Sequence, residues 1–163
     1  MITQTKFKEN PLYIKGHAGE VLVSQILQRR GWYIVPSYDY SGGDDDKAPR
    51  MQGEKLCYIL PDLDVSREGE RVWVEVKTKE EAILYRKTNT MRHGISLRHY
   101  RHYQEVEKIS GCAVYLAVYE VKTGDVLMAK LSKLDKHNQI HESNNMVYFP
   151  RDAFDLLETV KRQ

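Results

Sequence analysis

Two short stretches decide the fold: Ile59-Leu-Pro-Asp-Leu-Asp-Val65 and Val72-Trp-Val-Glu-Val-Lys77. Both are rich in apolar and β-branched residues, and both have the length of a strand. The polar segment Ser66-Arg-Glu-Gly-Glu70 joins them and contains a glycine suited to a tight turn. The pattern predicts a β-hairpin, with one strand over residues 58–65 and the other over residues 72–77.

The hairpin carries charged side chains on otherwise apolar strands. Because side chains alternate between the two faces of a strand, Glu75 and Lys77 share one face of the second strand. Asp62 and Asp64 share one face of the first strand by the same rule. Burying unpaired charge costs free energy, so the pattern indicates either a face turned to water or a site that holds a ligand.

The rest of the chain supplies helices and strands around this hairpin. Hydrophobic spacing and turn residues predict helices over 15–30, 97–109 and 151–161, and strands over 32–38, 113–121, 126–131 and 147–149. The nearly continuous apolar run at 113–121 is typical of a central strand covered on both sides. This order predicts an α/β sandwich around a mixed sheet. Residues 1–11 are predicted to be a tail and residues 41–57 a loop insertion, in a single domain over residues 1–163.

Composition excludes several classes of protein. The chain has 163 residues, of which 41% are hydrophobic and 29% charged, so neither wholesale disorder nor a membrane-spanning protein is expected. The cysteines, Cys57 and Cys112, form no CxxC pair, which argues against a disulfide framework and favours the cytoplasm. The formal net charge is only +2, so any affinity for nucleic acid must come from a local patch.

The triplet acid-x-Lys occurs three times, and its context distinguishes the three. Asp45-Asp-Lys47 lies in a polar stretch, and Glu120-Val-Lys122 runs into a turn. Only Glu75-Val-Lys77 follows a strand with acids across a hairpin-length loop. A further acid, Glu20 in Gly16-His-Ala-Gly-Glu20, lies early in the first predicted helix, at the flank of its apolar stripe. From there it can reach the edge of the sheet, although a glutamate early in a helix is also favoured by the helix dipole alone.

The chain resembles the PD-(D/E)XK nuclease superfamily, and among its branches the archaeal Holliday junction resolvases. Three features carry the resemblance in this order: Glu20 in a helix, Pro61-Asp62, and Glu75-Val-Lys77. The resemblance covers residues 15 to about 121. It implies a restriction-endonuclease-like three-layer sandwich with a mixed central sheet. It also implies a metal-dependent endonuclease that hydrolyses phosphodiester bonds in DNA, structure-selective for branched DNA in the resolvase branch, and a homodimer. The departures at 41–57 and after Val121 leave the substrate open.

The resemblance assigns the catalytic positions to Glu20, Asp62, Glu75 and Lys77. Carboxylates hold a hard cation such as Mg²⁺ or Mn²⁺, which activates water and clamps phosphate oxygens. In this family the main-chain carbonyl at the position of Val76 joins Glu20, Asp62 and Glu75 as a metal ligand. Lys77 would orient the attacking water and stabilise charge on the phosphate.

Two expectations about the acids follow. Asp64 is the rival of Asp62 as the metal ligand, and the match to Pro-Asp together with the hairpin length favours Asp62. Neighbouring carboxylates oppose ionisation, so without metal at least one of these acids should have a raised pKa.

An acid-free run from residue 82 to residue 104 follows the hairpin. Its basic and aromatic side chains suit contact with phosphates and stacking on bases, although a solvated basic helix would look similar. The candidate residues for binding nucleic acid are Arg86, Lys87, Arg92, Arg98, Arg101, Tyr103 and Gln104.

Other functions remain open at the level of sequence. A non-catalytic nucleic-acid-binding protein on the same fold would keep the basic run, and a restriction or defence endonuclease would need a recognition element within 41–57 or after Val121. A third possibility is an α/β interaction protein whose acids merely face water. DNA versus RNA, sequence preference, cut position and oligomeric state are not determined by these residues.

Overall fold

A six-stranded mixed sheet runs through the middle of the structure, a computed structural model that describes residues 11–36 and 49–161. The described residues form the helices α1 (Pro11–Arg29), α2 (Leu97–Ser110) and α3 (Leu131–Leu134). Their strands are β1 (Tyr33–Pro36), β2 (Arg50–Gln52), β3 (Cys57–Ile59), β4 (Leu63–Arg67), β5 (Glu70–Lys79), β6 (Ile83–Tyr85), β7 (Thr90–Ser96), β8 (Val114–Glu120), β9 (Asp125–Lys130), β10 (Gln139–His141), β11 (Met146–Pro150) and β12 (Asp155–Thr159).

The strand order of the central sheet is β1-β4-β5-β8-β9-β12. Of the strands described, β5 and β8 alone pair in parallel, and α2 lies in the crossover that connects them, as a parallel pair requires. A second sheet has the order β10-β11-β7-β6, and β2 pairs with β3. The mixed central sheet predicted from the sequence is confirmed, and β8 occupies the central, doubly covered position expected for its apolar run.

Two hydrophobic layers cover the two faces of the central sheet. On one face, α1 packs its buried Val23, Ile26 and Leu27 against alternate residues of β5, including Val74 and Val76. On the other face, α2 and the second sheet pack against side chains that include Trp73, Leu116 and Val118. Glu75, which lies between Val74 and Val76, therefore points to the α2 side.

Helix ends agree with the glycines in the sequence. The chain leaves α1 at Gly31, with φ of +83°, and leaves α2 at Gly111, with φ of +68°. The Gly111 N–H donates to the Glu107 carbonyl at 3.0 Å, which closes the last turn of α2. No helix within the described part of the chain combines the length and apolar character needed to cross a membrane.

The strand predicted over 58–65 is two strands. β3 ends at Ile59 and pairs with β2, while β4 begins at Leu63 and pairs with β5. The break falls at Pro61, which has no N–H to donate to a ladder. Asp62 consequently precedes β4. The prediction that Asp62 and Asp64 lie on one face of a single strand is therefore wrong.

Two predicted segment boundaries change. Pro11 is the first residue of α1, a position that proline favours, and residues 1–10 of the predicted tail lie outside the described residues. In the predicted insertion, residues 41–48 lie outside the described residues as well. The rest of the insertion is not a loop, because β2 and the first residue of β3 form a paired hairpin there.

The closing helix predicted over 151–161 is wrong. Strand β12 runs through this segment and pairs antiparallel with β9, with an irregularity between Leu156 and Glu158. Phe154 is buried, whereas Leu156 is exposed. An apolar run this short has no decisive period, and the unpaired edge of β9 supplies hydrogen bonds that a helix would leave unused.

Candidate active site

The break before β4 places Asp62 against β5. Register between β4 and β5 begins with Leu63 opposite Val74, so its continuation would set Pro61 opposite Val76. Asp62 replaces the missing ladder bond, because its Oδ2 accepts the Val76 N–H at 2.8 Å. Asp62 is buried, with 8% of its surface exposed, and this hydrogen bond fixes the direction of its carboxylate.

The carbonyl of Val76 faces the same gap. Trp73 donates its N–H to the carbonyl of Ala113, the residue before β8, so alternate residues Trp73, Glu75 and Lys77 direct their backbone groups toward β8. Val76 directs both its N–H and its C=O toward β4. Since Pro61 has no N–H, the β4 ladder supplies no donor to this carbonyl, which lies on the side of the strand that Asp62 occupies.

Glu75 and Lys77 form an ion pair on the α2 face of β5. The Glu75 side chain is 3% exposed and the Lys77 side chain 28%, so the lysine lies at the rim of the site and the carboxylate beneath it. A buried carboxylate without a counterion would be costly. Lys77 therefore neutralises Glu75 and also presents a cation to whatever enters from solvent.

Glu20 approaches the same region from α1. Its side chain is 21% exposed, and His17 Nδ1 lies 3.6 Å from its Oε2. The charge of Glu20 contributes to raising the pKa of Asp62, which places the two carboxylates within electrostatic reach. Helix α1 comes close to β5 at Gly19, where an added Cβ would lie 2.0 Å from Thr78 Oγ1.

The donor chemistry of this site fits a hard divalent cation. Asp62, Glu75 and the Val76 carbonyl offer oxygen atoms, which Mg²⁺ and Mn²⁺ prefer. Among residues 11–36 and 49–161, however, no three His, Cys, Asp or Glu side chains are gathered closely enough to hold a metal ion. The third carboxylate, Glu20, is thus a neighbour of the other two and not part of a ready-made ligand set.

The pKa of Asp62 lies well above its usual value. Burial is the largest cause, followed by the charge of Glu75, with Glu20 adding to the effect. Lys77 and the Val76 N–H act in the opposite direction but do not cancel it. The raised pKa expected for at least one acid of the site is therefore found at Asp62.

Asp62→Asn is expected to raise the melting temperature in EDTA at neutral pH. The folded state holds the Asp62 proton more tightly than the unfolded chain does. The contribution of Asp62 to stability is therefore fully present below its unfolded pKa of about 3.9 and is lost as the pH rises through the folded pKa. Asparagine keeps an acceptor for the Val76 N–H and removes the charge. Each kcal/mol gained should raise Tm by about 2–4 °C, measured by differential scanning calorimetry between about pH 4 and about pH 8.

Asp64→Asn is the matched control for this experiment. It removes only a partly exposed pair with Arg71, so it should lower stability by about 1 kcal/mol or less. Saturating Mn²⁺ should reverse the order of wild type and Asp62→Asn, because a ligand stabilises the form that binds it. A lower Tm for Asp62→Asn than for wild type in EDTA throughout this pH range would contradict the electrostatic description of the site.

Asp64, the rival metal ligand, is engaged elsewhere. Its two carboxylate oxygens accept hydrogen bonds from the Arg71 guanidinium at 2.9 and 2.7 Å. This bidentate pair satisfies Asp64. The geometry therefore favours Asp62 over Asp64 at the candidate site.

The third acid-x-Lys triplet has a structural role. Glu120 is buried and accepts hydrogen bonds from Arg151 and Thr123, and it pairs with His93 at 2.7 Å. Burial alone would raise the pKa of Glu120, but the hydrogen bonds from Arg151, Thr123 and His93 outweigh it and bring the pKa down to about 2. Lys122 lies apart and pairs with Glu81 at the surface.

The predicted nucleic-acid contacts divide into exposed and buried residues. Arg92 and Tyr103 are buried, with 6% and 2% of their surfaces exposed, so the structure does not favour them as phosphate or base contacts. Arg92 donates to the carbonyls of His137 and Tyr148, and Tyr103 belongs to the core stripe of α2. The spacing of Tyr103 three residues before the buried Val106 was a signal of this burial.

Four of the predicted basic residues remain exposed. Arg86 and Lys87 occupy the turn between β6 and β7, and Arg98 and Arg101 lie on α2. Arg101 forms an exposed ion pair with Glu142, which competes little with a phosphate. The Gln104 amide is directed away from Asp62 and Glu75. It donates a hydrogen bond to the Tyr100 hydroxyl, which in turn donates to Asp135.

Two side chains near Lys77 were not assigned to the candidate site from the sequence. The pKa of His99 is lowered, first by burial and then by the charge of Lys77, with Glu75 acting in the opposite direction, so His99 lies within electrostatic reach of this pair. Lys79 shares the β5 face of Glu75 and Lys77 by alternation. The alternation of β5 was the available signal for Lys79, and the signal for His99 was its place in the acid-free run over 82–104.

Comparison with solved structures identifies the fold. The structure of Hjc, a Holliday junction resolvase from the archaeal hyperthermophile Archaeoglobus fulgidus, matches with a TM-score of 0.56 and 12% identity, over 86% of this chain and 87% of that chain. D212, a nuclease from a fusselovirus, matches with a TM-score of 0.46 and 14% identity, over 87% of each chain. No protein-family model and no curated protein sequence matches this chain. The chain has the restriction-endonuclease-like fold of the resolvase, as its sequence predicts.

Proposed function

We propose that this protein is a single-domain, divalent-metal-dependent DNA endonuclease. One observation carries the proposal: a buried Asp62, hydrogen-bonded to β5, lies within electrostatic reach of the Glu75–Lys77 pair. Two buried acids that share one lysine are a costly arrangement. Binding of a cation and a phosphate would explain why the fold retains it, and the fold shared with a resolvase supports the same interpretation.

Asp62, Glu75 and the carbonyl of Val76 would hold the metal ion, with Glu20 bound through water. When bound, Mg²⁺ or Mn²⁺ supplies Lewis-acid stabilisation of the phosphate and lowers the pKa of a bound water. The Asp62 carboxylate is aimed by the Val76 N–H, so it is already oriented before the ion arrives. Lys77, at the rim, would hold the attacking water and the phosphate oxygen on which charge develops.

The exposed basic residues would bind the DNA backbone around this site. Arg98 and Arg101 extend from α2, whose first turns also place His99 beside Glu75 and Lys77. Arg86 and Lys87 extend the same charge along the second sheet. Exposed cations on two separate elements, α2 and the turn between β6 and β7, suit a substrate whose phosphates do not follow a single straight duplex. We therefore propose branched DNA as the substrate class, cut by a homodimer that presents two sites, in the cytoplasm.

Cleavage of a labelled substrate panel tests this function. The panel contains a four-way junction, a flap, a single strand and a plain duplex, each incubated with Mg²⁺, Mn²⁺ or EDTA. We expect metal-dependent cutting with preference for a branched substrate, and paired cuts in the four-way junction would support a dimer. Equal cutting of all four substrates would reject structure selectivity. Tight binding without cutting in either metal would reject the enzyme in favour of a non-catalytic DNA-binding protein.

A further inference from the structure

Lys79 lies on the same face of β5 as the proposed catalytic pair. Side chains two residues apart on a strand share a face and are separated by about 6.6 Å along the chain, so Glu75, Lys77 and Lys79 form a row. Lys79 is half-buried, and its backbone carbonyl accepts the Val121 N–H at 2.8 Å, which fixes the end of β5. The backbone of Lys79 therefore has a defined position beyond Lys77.

The acids around Lys79 are already paired with other cations. Glu75 pairs with Lys77, and Glu120, opposite Lys79 in the register with β8, is bound by Arg151 and His93. Within residues 11–36 and 49–161, no Asp or Glu forms a salt bridge with the Lys79 ammonium. A half-buried ammonium without a carboxylate is unfavourable unless an anion completes it.

The electrostatics of Lys79 agree with this placement. Burial is the main cause that lowers its pKa, and the charge of Lys77 lowers it further. The pKa of His93 is lowered first by its burial, and the charges of Arg151 and Lys79 add to this effect. Burial and the charge of Lys77 therefore both disfavour the ammonium form of Lys79 at the end of β5.

We propose that Lys79 binds the phosphate adjacent to the scissile one, on the strand that Lys77 engages. The inference rests on the proposed nuclease function and extends the site from one phosphate to two. Two lysines on one face of an extended strand offer a row of cations that successive phosphates of a single DNA strand can follow. Lys79 is then a substrate-binding residue that aligns the strand, and Lys77 acts at the reacting phosphate.

Lys79→Met tests the proposal, with Lys133→Met as the matched control. Lys133 is exposed and pairs with Asp155 on the edge strand β12. DNA binding is measured with Ca²⁺ in place of Mg²⁺ at several salt concentrations. Lys79→Met should weaken binding about tenfold and reduce the slope of log K against log salt by about 0.9, the value for one phosphate contact. Its Tm should not fall, because an unpaired half-buried charge is removed.

A chemical change in the DNA identifies the phosphate that Lys79 contacts. After the cut position has been mapped with wild-type protein, a neutral methylphosphonate replaces each phosphate flanking the scissile one in turn. At one of the two positions we expect wild type to cut about tenfold more slowly, and Lys79→Met to show no additional loss on that DNA. Such non-additivity is the signature of a direct contact.

The outcomes separate the two proposals. Two results would reject the role of Lys79 while wild type still cuts DNA in metal. Lys79→Met could bind DNA as Lys133→Met does, or its loss of cutting rate could be additive with the methylphosphonate at both positions. In either case Lys79 does not bind a flanking phosphate, and the nuclease function stands. If wild type neither binds nor cuts any DNA, the proposed function fails, and the role of Lys79 fails with it.

Discussion

Lys77→Met is expected to slow DNA cutting by roughly 10²–10³-fold, the loss typical when one preorganised donor to developing charge is removed. Lys77 is the cation paired with Glu75 at the rim of the site, so its removal leaves a buried carboxylate unpaired and should also destabilise the fold by about 3 kcal/mol or more. DNA affinity should change by less than tenfold, because the exposed arginines remain. Single-turnover cutting and equilibrium binding measure the two effects separately.

The chain contains a matched control for this variant. Glu120-Val-Lys122 repeats the letters of Glu75-Val-Lys77, but Lys122 lies at the surface beside Glu81. Lys122→Met should cut DNA at the wild-type rate. A single-turnover rate for Lys77→Met equal to that of Lys122→Met would show that Lys77 has no role in the chemistry.

Gly19→Ala is expected to cause the other large loss. A Cβ at Gly19 would lie 2.0 Å from Thr78 Oγ1 and 3.3 Å from Thr78 Cβ, so either Thr78 must rotate or α1 must move away from β5, and we expect the helix to move. Overpacking of this kind typically costs about 1–3 kcal/mol. Glu20 follows directly in the helix and would be displaced with it, and a misplacement of about 1 Å can reduce a rate by about 10²-fold. Thermal unfolding and single-turnover cutting measure the loss.

Two further variants test the cause of this effect. Gly16 lies in the same helix and has nothing within 4 Å of an added Cβ, so Gly16→Ala should leave cutting unchanged and stabilise the helix by up to about 1 kcal/mol. Thr78→Ala removes the hydroxyl that Gly19→Ala would strike, and the double variant should recover much of the lost stability and rate. Equal behaviour of Gly19→Ala and Gly16→Ala would contradict the proposed close approach.

The sequence predicted those parts of the fold that depend on local pattern. The hairpin, the end of α2 at Gly111 and the central position of β8 follow from alternation, glycine placement and a continuous apolar run. The pairing of β12 with β9 could not be predicted in the same way, because it depends on a free strand edge distant in the chain. The burial of Arg92 depends equally on a partner sheet that no local pattern reveals.

The candidate site was predictable in its residues and not in its arrangement. The letters Glu-Val-Lys are the same at 75–77 and 120–122, yet the two glutamates have different partners. Glu75 pairs with Lys77 at the rim of the candidate site, whereas Glu120 pairs with Arg151. The role of Pro61 in directing Asp62 toward Val76 required the register of β4 and β5. The position of Glu20 required the approach of α1 to Thr78.

The most direct test of the central claim compares wild type with Glu75→Gln in single-turnover cutting of the preferred substrate, with Mg²⁺, Mn²⁺ and EDTA. Glutamine keeps the shape of Glu75 and removes the charge that would hold the ion. We predict that wild type cuts in either metal and does not cut in EDTA. We predict that Glu75→Gln cuts at least about 10³-fold more slowly and still binds DNA. Cutting by wild type in EDTA, or undiminished cutting by Glu75→Gln, would contradict a metal-dependent site built on Asp62, Glu75 and Lys77.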